Sequence, residues 1–154
     1  MKRSFTLIEL IVVIIIVGVL AALGINQYSR VVERGRAAEA KVRIGAMRQL
    51  VYEYYLNNGS LTGLSNDDIG AAGWVCQSSD YFFYYIGSGA PTKVLLAAGR
   101  CTANGKRPNY SKSYFLQYRF CADTNRLVWN CYDYESGAVC AALGYPTYRG
   151  DCDS

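Results

Sequence analysis

From Leu10 to Ile25 the chain reads LIVVIIIVGVLAALGI, with no charged residue and only Gly18 and Gly24 interrupting a run of Leu, Ile, Val and Ala. Extended back to Phe5 the stretch covers 21 residues. As a helix rising about 1.5 Å per residue, that length crosses a hydrocarbon core of about 30 Å. The chain from Asn26 onward is polar enough to be soluble, so the 154 residues divide into one anchor and one head. Lys2 and Arg3 precede the anchor, and basic flanks remain cytoplasmic. Arg30, Arg34, Arg36, Lys41 and Arg43 lie on the other flank and outnumber them, so charge counting alone leaves the orientation open.

The cysteines break the tie. Cys76, Cys101, Cys121, Cys131, Cys140 and Cys152 all lie in the C-terminal half, at spacings of 25, 20, 10, 9 and 12. Zinc sites favour close CxxC pairs with His, and this chain has neither. An even number of widely spaced cysteines predicts disulfides in an oxidising compartment, without choosing among their pairings. The head is therefore expected outside, and the N-terminus inside.

One acid stands at the start of the apolar run, in the string Ser4-Phe5-Thr6-Leu7-Ile8-Glu9-Leu10. An ionisable residue inside a membrane segment points to a function and asks for a partner. Here the sequence resembles the type IV pilin family, which includes the pseudopilins of type II secretion. The match runs from Phe5 through Gln27: FTLIELIVVIIIVGVLAALGINQ. The resemblance implies that residues 1–4 are a leader, that a prepilin peptidase cuts between Ser4 and Phe5, and that Phe5 is then N-methylated. It implies further that Glu9 meets the new amine of Phe5 on a neighbouring subunit during assembly. Two half-buried charges neutralise one another only in the right register. The chain departs from the family pattern at Ser4, where Gly is usual, and at Asn26, where Pro is usual. A proline would break or kink the helix. Gly24 and Asn26, both poor helix formers, predict local softness there.

Past the anchor, Tyr28, Val31, Val32, Gly35, Ala38, Val42, Gly45 and Ala46 recur at helical spacing between charges, and Met47, Leu50, Val51 and Tyr54 form a second face. The helix is expected to end near Asn57-Asn58-Gly59-Ser60, with Gly59 as its cap. Gly35, Ala38, Gly45 and Ala46 are expected to pack closely against the head's own sheet. A loop follows over 59–73, in which Asp67 and Asp68 fall far short of a calcium loop. Strands are expected at Trp74–Cys76, Tyr81–Ile86, Lys93–Ala97, Tyr114–Cys121 and Leu127–Tyr132. The segment from Glu135 to Ser154 is expected to be a disulfide-stapled loop. The fold class is α+β: a long helix, with an anchor over 5–25 and an amphipathic half over 26–58, on an antiparallel sheet in 74–154.

The 14 tyrosines read as amphipathic packing, with adhesion as a sharper alternative. Charge is segregated: Lys93, Arg100, Lys106, Arg107, Lys112 and Arg119 lie in a stretch without acids, followed by a tail with Asp123, Asp133, Glu135, Asp151 and Asp153. This suggests complementary faces between subunits, or equally a solvated surface with no such role. A second reading is DNA capture, with Tyr110, Tyr114, Phe115, Tyr118 and Phe120 interleaved among the bases. Against it, the trimmed chain has only 14 bases to 12 acids. Without His, and without a nucleophile elbow, a P-loop or a carboxylate pair, no enzyme, cofactor or metal is expected. The expected role is a structural subunit of a type IV pilus. Its partners would be other pilin subunits, the peptidase, inner-membrane assembly machinery and, before assembly, membrane lipid. The alternatives are a secretion pseudopilin and a membrane-anchored adhesin that never polymerises.

Overall fold

The computed structural model describes residues 6–71, 73, 75–87, 89–103, 113–133, 138–145 and 152. One helix, α1, runs from Leu7 to Asn58, about 78 Å at 1.5 Å per residue. It begins where Thr6 is extended (φ −84°, ψ 147°) and ends at Gly59, whose φ of 68° is the left-handed conformation that glycine takes freely. The Gly59 N–H donates to the Tyr55 carbonyl at 2.8 Å. Across Gly24, Ile25 and Asn26 the helix is unbroken. Both Gly24 and Asn26 carry the backbone N–H that a proline would lack.

Four strands follow: β1 (Phe82–Ile86), β2 (Lys93–Arg100), β3 (Tyr114–Cys121) and β4 (Arg126–Asp133). They form one antiparallel meander in the order β1-β2-β3-β4. Because side chains alternate across a strand, one face presents Phe82, Tyr84, Val94, Leu96, Ala98, Tyr114, Leu116, Tyr118 and Phe120, all buried. The helix covers this face. Its buried stripe is Glu33, Ala37, Ala40, Ile44, Met47 and Val51, alternating steps of four and three residues along one side.

That stripe corrects the expected one. Gly35, Ala38 and Ala46 are exposed and Gly45 only half-buried, on the side of α1 away from the sheet, with Tyr28, Val31 and Val42. Two apolar stripes share this helix. The one that packs on the sheet contains a charged residue, Glu33, whose partner comes from the far end of β2, so hydrophobic spacing alone selects the wrong side.

Two further expectations change. Val75 and Cys76 lie outside any strand, and Trp74 lies outside the described residues. The C-terminal region contains a short helix, α2 (Ala138–Ala142), instead of loop throughout. The 59–73 loop holds one 3-10 turn at Asp67–Ile69, with Asp68 accepting from the Ser65 N–H and hydroxyl at 2.7 and 2.6 Å. The α+β architecture itself, a long helix on an antiparallel sheet, stands as expected.

On the outer face of the sheet Phe83, Tyr85, Ala97 and Phe115 form a second cluster. The Phe83 ring lies on Gly99, where an added Cβ would come within 2.1 Å of its Cζ. Only glycine permits that approach. Among the described residues the packing reading holds for Tyr84, Tyr85, Tyr114 and Tyr118, which are buried, and for Tyr52, Tyr54 and Tyr55, which rest against the core, whereas Tyr28, Tyr81 and Tyr132 are exposed. Burial pushes the Tyr84 hydroxyl up to about 12, with Arg43 opposing and Glu39 and Asp80 adding to the rise.

Candidate assembly site

The first turns of α1 form a continuous exposed apolar surface. Every residue from Leu7 to Ile25 is exposed, including Leu7 at 76% and Leu23 at 67%. In water so large an apolar surface is untenable for an isolated chain. The helix is long and apolar enough to cross a membrane.

Glu9 sits at the start of this surface and is already engaged within its own chain. The Thr6 N–H and hydroxyl donate to Glu9 Oε2 at 2.9 and 2.6 Å, and the Glu9 N–H donates back to Thr6 Oγ1 at 3.4 Å. This reciprocal capping satisfies donors that the first turn of any helix leaves open. The FTLIE string thus carries a helix start as well as a charge. Ser4 and Phe5, the expected cleavage and methylation positions, lie outside the described residues.

Where α1 enters the head, a second polar cluster fixes it to the sheet. Arg100 Nε donates to Glu33 Oε1 at 2.6 Å and Nη2 to Oε2 at 3.2 Å, while the Tyr114 hydroxyl donates to Oε1 at 2.7 Å. Arg36 adds a bond to Oε2 at 3.2 Å. Arg100 Nη1 also donates to the carbonyls of Tyr81 and Cys101 at 3.1 and 2.7 Å. Burial alone would raise the Glu33 carboxyl. Hydrogen bonds from Arg100 and Tyr114, the Arg100 charge and the Arg36 bond outweigh it and hold the group below the usual carboxylate value. Sequence reasoning placed Glu33 among surface charges and Arg100 in a basic stretch. The available signal was a lone charge on each side of otherwise apolar periodicity.

The six cysteines pair as Cys76–Cys101, Cys121–Cys152 and Cys131–Cys140. The last ties α2 to β4, where buried Asp133 accepts from the Val139 and Cys140 N–H groups at 2.9 and 3.1 Å. From α1, Arg34 donates to the Ala142 carbonyl at 2.9 Å, and Lys41 Nζ lies 3.9 Å from the Tyr145 ring centroid and 5.0 Å from that of Trp129. Burial lowers the Lys41 pKa.

These placements thin out the segregated charges. Arg100 and Asp133 are internal, and Lys106, Arg107, Lys112, Glu135, Asp151 and Asp153 lie outside the described residues. Stacking of nucleic-acid bases on Tyr114, Phe115, Tyr118 and Phe120 is ruled out by their burial, and Tyr110 lies outside the described residues. That corrects the DNA-capture reading, whose aromatic platform is core instead of surface. No group of three or more possible metal ligands gathers among the described residues.

Residues 1–25 match the family model of the prokaryotic N-terminal methylation motif. The type IV major fimbrial protein FimA of Dichelobacter nodosus is 32% identical over 117 residues, covering 69% of this chain and 72% of FimA. The type IV major pilin protein PilE1 of Neisseria gonorrhoeae is 35% identical over 112 residues, 73% of this chain and 48% of that one. A fimbrial protein of Neisseria meningitidis serogroup A is 42% identical over 104 residues, 68% and 58% of the two chains. This chain therefore spans about half the length of the Neisseria relatives. No solved structure matches. An apolar helix opened by the methylation motif, a disulfide-bonded antiparallel head and a major fimbrial relative matched over nearly three-quarters of its length together mean that the chain belongs to the type IV pilin family.

Proposed function

We propose that this pilin subunit polymerises through α1 into an extracellular type IV pilus. The observation that carries the reading is the continuous apolar side of α1. All of Leu7–Ile25 is exposed, and the apolar surface continues along the side away from the sheet through Tyr28, Val31 and Val42. A lone anchor explains the first part but not the second, which extends past any bilayer; packing of α1 against copies of itself accounts for both.

In this reading the chain waits as a single-pass inner-membrane precursor with Lys2 and Arg3 in the cytoplasm and the disulfide-bonded head outside. A prepilin peptidase removes residues 1–4 between Ser4 and Phe5, and Phe5 is N-methylated. The cut creates an amine, and Glu9 of one subunit pairs with the Phe5 amine of the next as the inner-membrane assembly machinery adds subunits. Glu9 must then exchange its Thr6 donors for that amine, a swap that leaves the carboxylate satisfied at both ends of the process. The role is structural, not catalytic, in keeping with the pilin and fimbrial names of the relatives.

Surface-sheared material from expressing cells should contain fibres by electron microscopy, and mass spectrometry of their subunit should find an N-methylated Phe5 terminus. A processed subunit that stays in the membrane fraction, with no fibre, would favour an anchored adhesin and overturn this reading.

A further inference from the structure

The stretch of α1 just beyond the apolar run has charges of unequal fate. Residues 26–37 contain Arg30, Glu33, Arg34 and Arg36, three bases and one acid. Glu33 is 2% exposed and bound to Arg100, so the only acid of this stretch is withdrawn from its surface. Arg36 is drawn to the same carboxylate and lies 3.9 Å over the Tyr81 ring. What the emerging helix presents outward is Arg30 and Arg34, both exposed, with Tyr28, 71% exposed, just before them and on another side of the helix. Within this stretch of α1 the fully exposed charges are Arg30 and Arg34, on the flank where basic residues oppose the charge bias that orients the anchor.

Depth decides what this surface meets. With Ile25 at the edge of the hydrocarbon, Tyr28 lies about 4.5 Å and Arg30 about 7.5 Å beyond it at 1.5 Å per residue. The headgroup layer is about 5–8 Å deep on each side. Tyr28 is then an interfacial aromatic and Arg30 stands at phosphate level. Arg34 is one turn higher, but helix side chains lean toward the helix N-terminus, here toward the bilayer, and a long arginine stem reaches back to phosphates. Arg34 keeps its bond to the Ala142 carbonyl through one Nη, which leaves the rest of the guanidinium fork for a second acceptor.

We infer that Tyr28, Arg30 and Arg34 form a docking collar for anionic lipid headgroups of the leaflet from which α1 emerges. The inference rests on the membrane-anchored reading of α1. The collar seats the head on the bilayer before assembly, and its phosphate contacts are given up when the subunit leaves the membrane.

The test uses the full chain reconstituted in phosphatidylcholine bilayers with trace spin-labelled lipid. Electron spin resonance then compares the motionally restricted fractions of labelled phosphatidylglycerol and phosphatidylcholine. Each arginine near an anionic surface is worth up to about fivefold in association. The wild-type chain should therefore prefer phosphatidylglycerol several-fold at low salt. Arg30→Gln alone should reduce the preference, Arg30→Gln with Arg34→Gln should reduce it further, and about 1 M salt, with a Debye length of ~3 Å, should abolish it. Arg30→Gln changes an exposed residue and leaves the Arg34 bond intact, so its effect does not depend on the fold tolerating the double change. A wild-type preference that survives both substitutions unchanged overturns the collar, as does restricted lipid with no preference. A chain that restricts neither lipid overturns the membrane reading and the collar with it.

Discussion

Arg100 and Glu33, 67 residues apart in sequence, meet through an Nε–Oε1 bond of 2.6 Å with both side chains buried. This pair joins the helix that carries the proposed assembly surface to the sheet of the head. Losing Arg100 leaves Glu33 buried with only Arg36 and the Tyr114 hydroxyl as partners; breaking a buried pair costs up to about 3–5 kcal/mol, whereas replacing both by apolar groups is often neutral. Arg100→Met should therefore strongly lower the urea midpoint of the full chain in detergent, and Glu33→Leu with Arg100→Met should recover most of it. A single variant as stable as wild type would show that the pair does not hold the helix to the sheet.

Acid should act through the same carboxylate. Glu33 has a lower pKa when folded than its ordinary 4.5, held down by its partners against the effect of burial. A depressed carboxyl contributes stability that is complete above the unfolded value and lost as pH falls through the folded one. The melting-temperature gap between wild type and Glu33→Gln should thus be constant from neutrality down to about pH 5 and narrow below the ordinary value. A gap that does not change with pH would mean that the Glu33 pKa is the same in the folded and unfolded chain, and a gap that moves the other way, against wild type as pH rises through the ordinary value, would mean that the carboxyl is protonated in the fold.

How legible the molecule was in its sequence depended on range. The C-terminal cap of α1, its span and four of the five expected strands follow from local signals: Gly59 as a stop, alternation in Tyr114–Cys121, and a polar turn before β4. The family motif in FTLIE is equally local. What failed was non-local. Whether Glu33 or Gly35 faces the sheet depends on Arg100 arriving beside it, and one helical pattern cannot reveal that. Arg100 itself counted among the bases of a stretch without acids, although Glu33 on α1 accepts from it and is in turn bonded by Tyr114 on β3. The disulfide pairing was undetermined for the same reason, since it records which loops meet and not how far apart they are in sequence.

Gly99 tests the outer face. A Cβ there would lie 2.1 to 2.7 Å from three atoms of the Phe83 ring, which is stacked on Tyr85 at 6.0 Å and edge-on to Phe115 at 5.9 Å. Gly99→Ala should destabilise the head by about 1–3 kcal/mol, the usual range for overpacking. In the background of Phe83→Ala the same change should cost much less. Additive losses in that double-mutant cycle, read by thermal or urea unfolding, would place the Phe83 ring elsewhere.

Glu9 and Thr6 should separate two stages of the subunit's life. In the single chain Glu9 Oε2 is held by the Thr6 hydroxyl and N–H, while in the proposed fibre it faces the Phe5 amine of a neighbour. Glu9→Ala removes the acceptor for both. The subunit should still insert and be processed, since the apolar run from Leu10 to Ile25 is untouched, but should accumulate in the membrane with little sheared fibre. Thr6→Ala removes only the hydroxyl, leaving the carboxylate and the Thr6 N–H in place. It should therefore weaken the first turn while retaining more fibre than Glu9→Ala, and Thr6→Ser, which restores a hydroxyl at the cap, should behave as wild type. Immunoblots of sheared and membrane fractions, with mass spectrometry of the N-terminus, read both stages at once. Wild-type fibre yield from Glu9→Ala would remove the carboxylate from assembly and leave it as a helix cap alone. Unprocessed precursor in that variant would instead place Glu9 at the peptidase step.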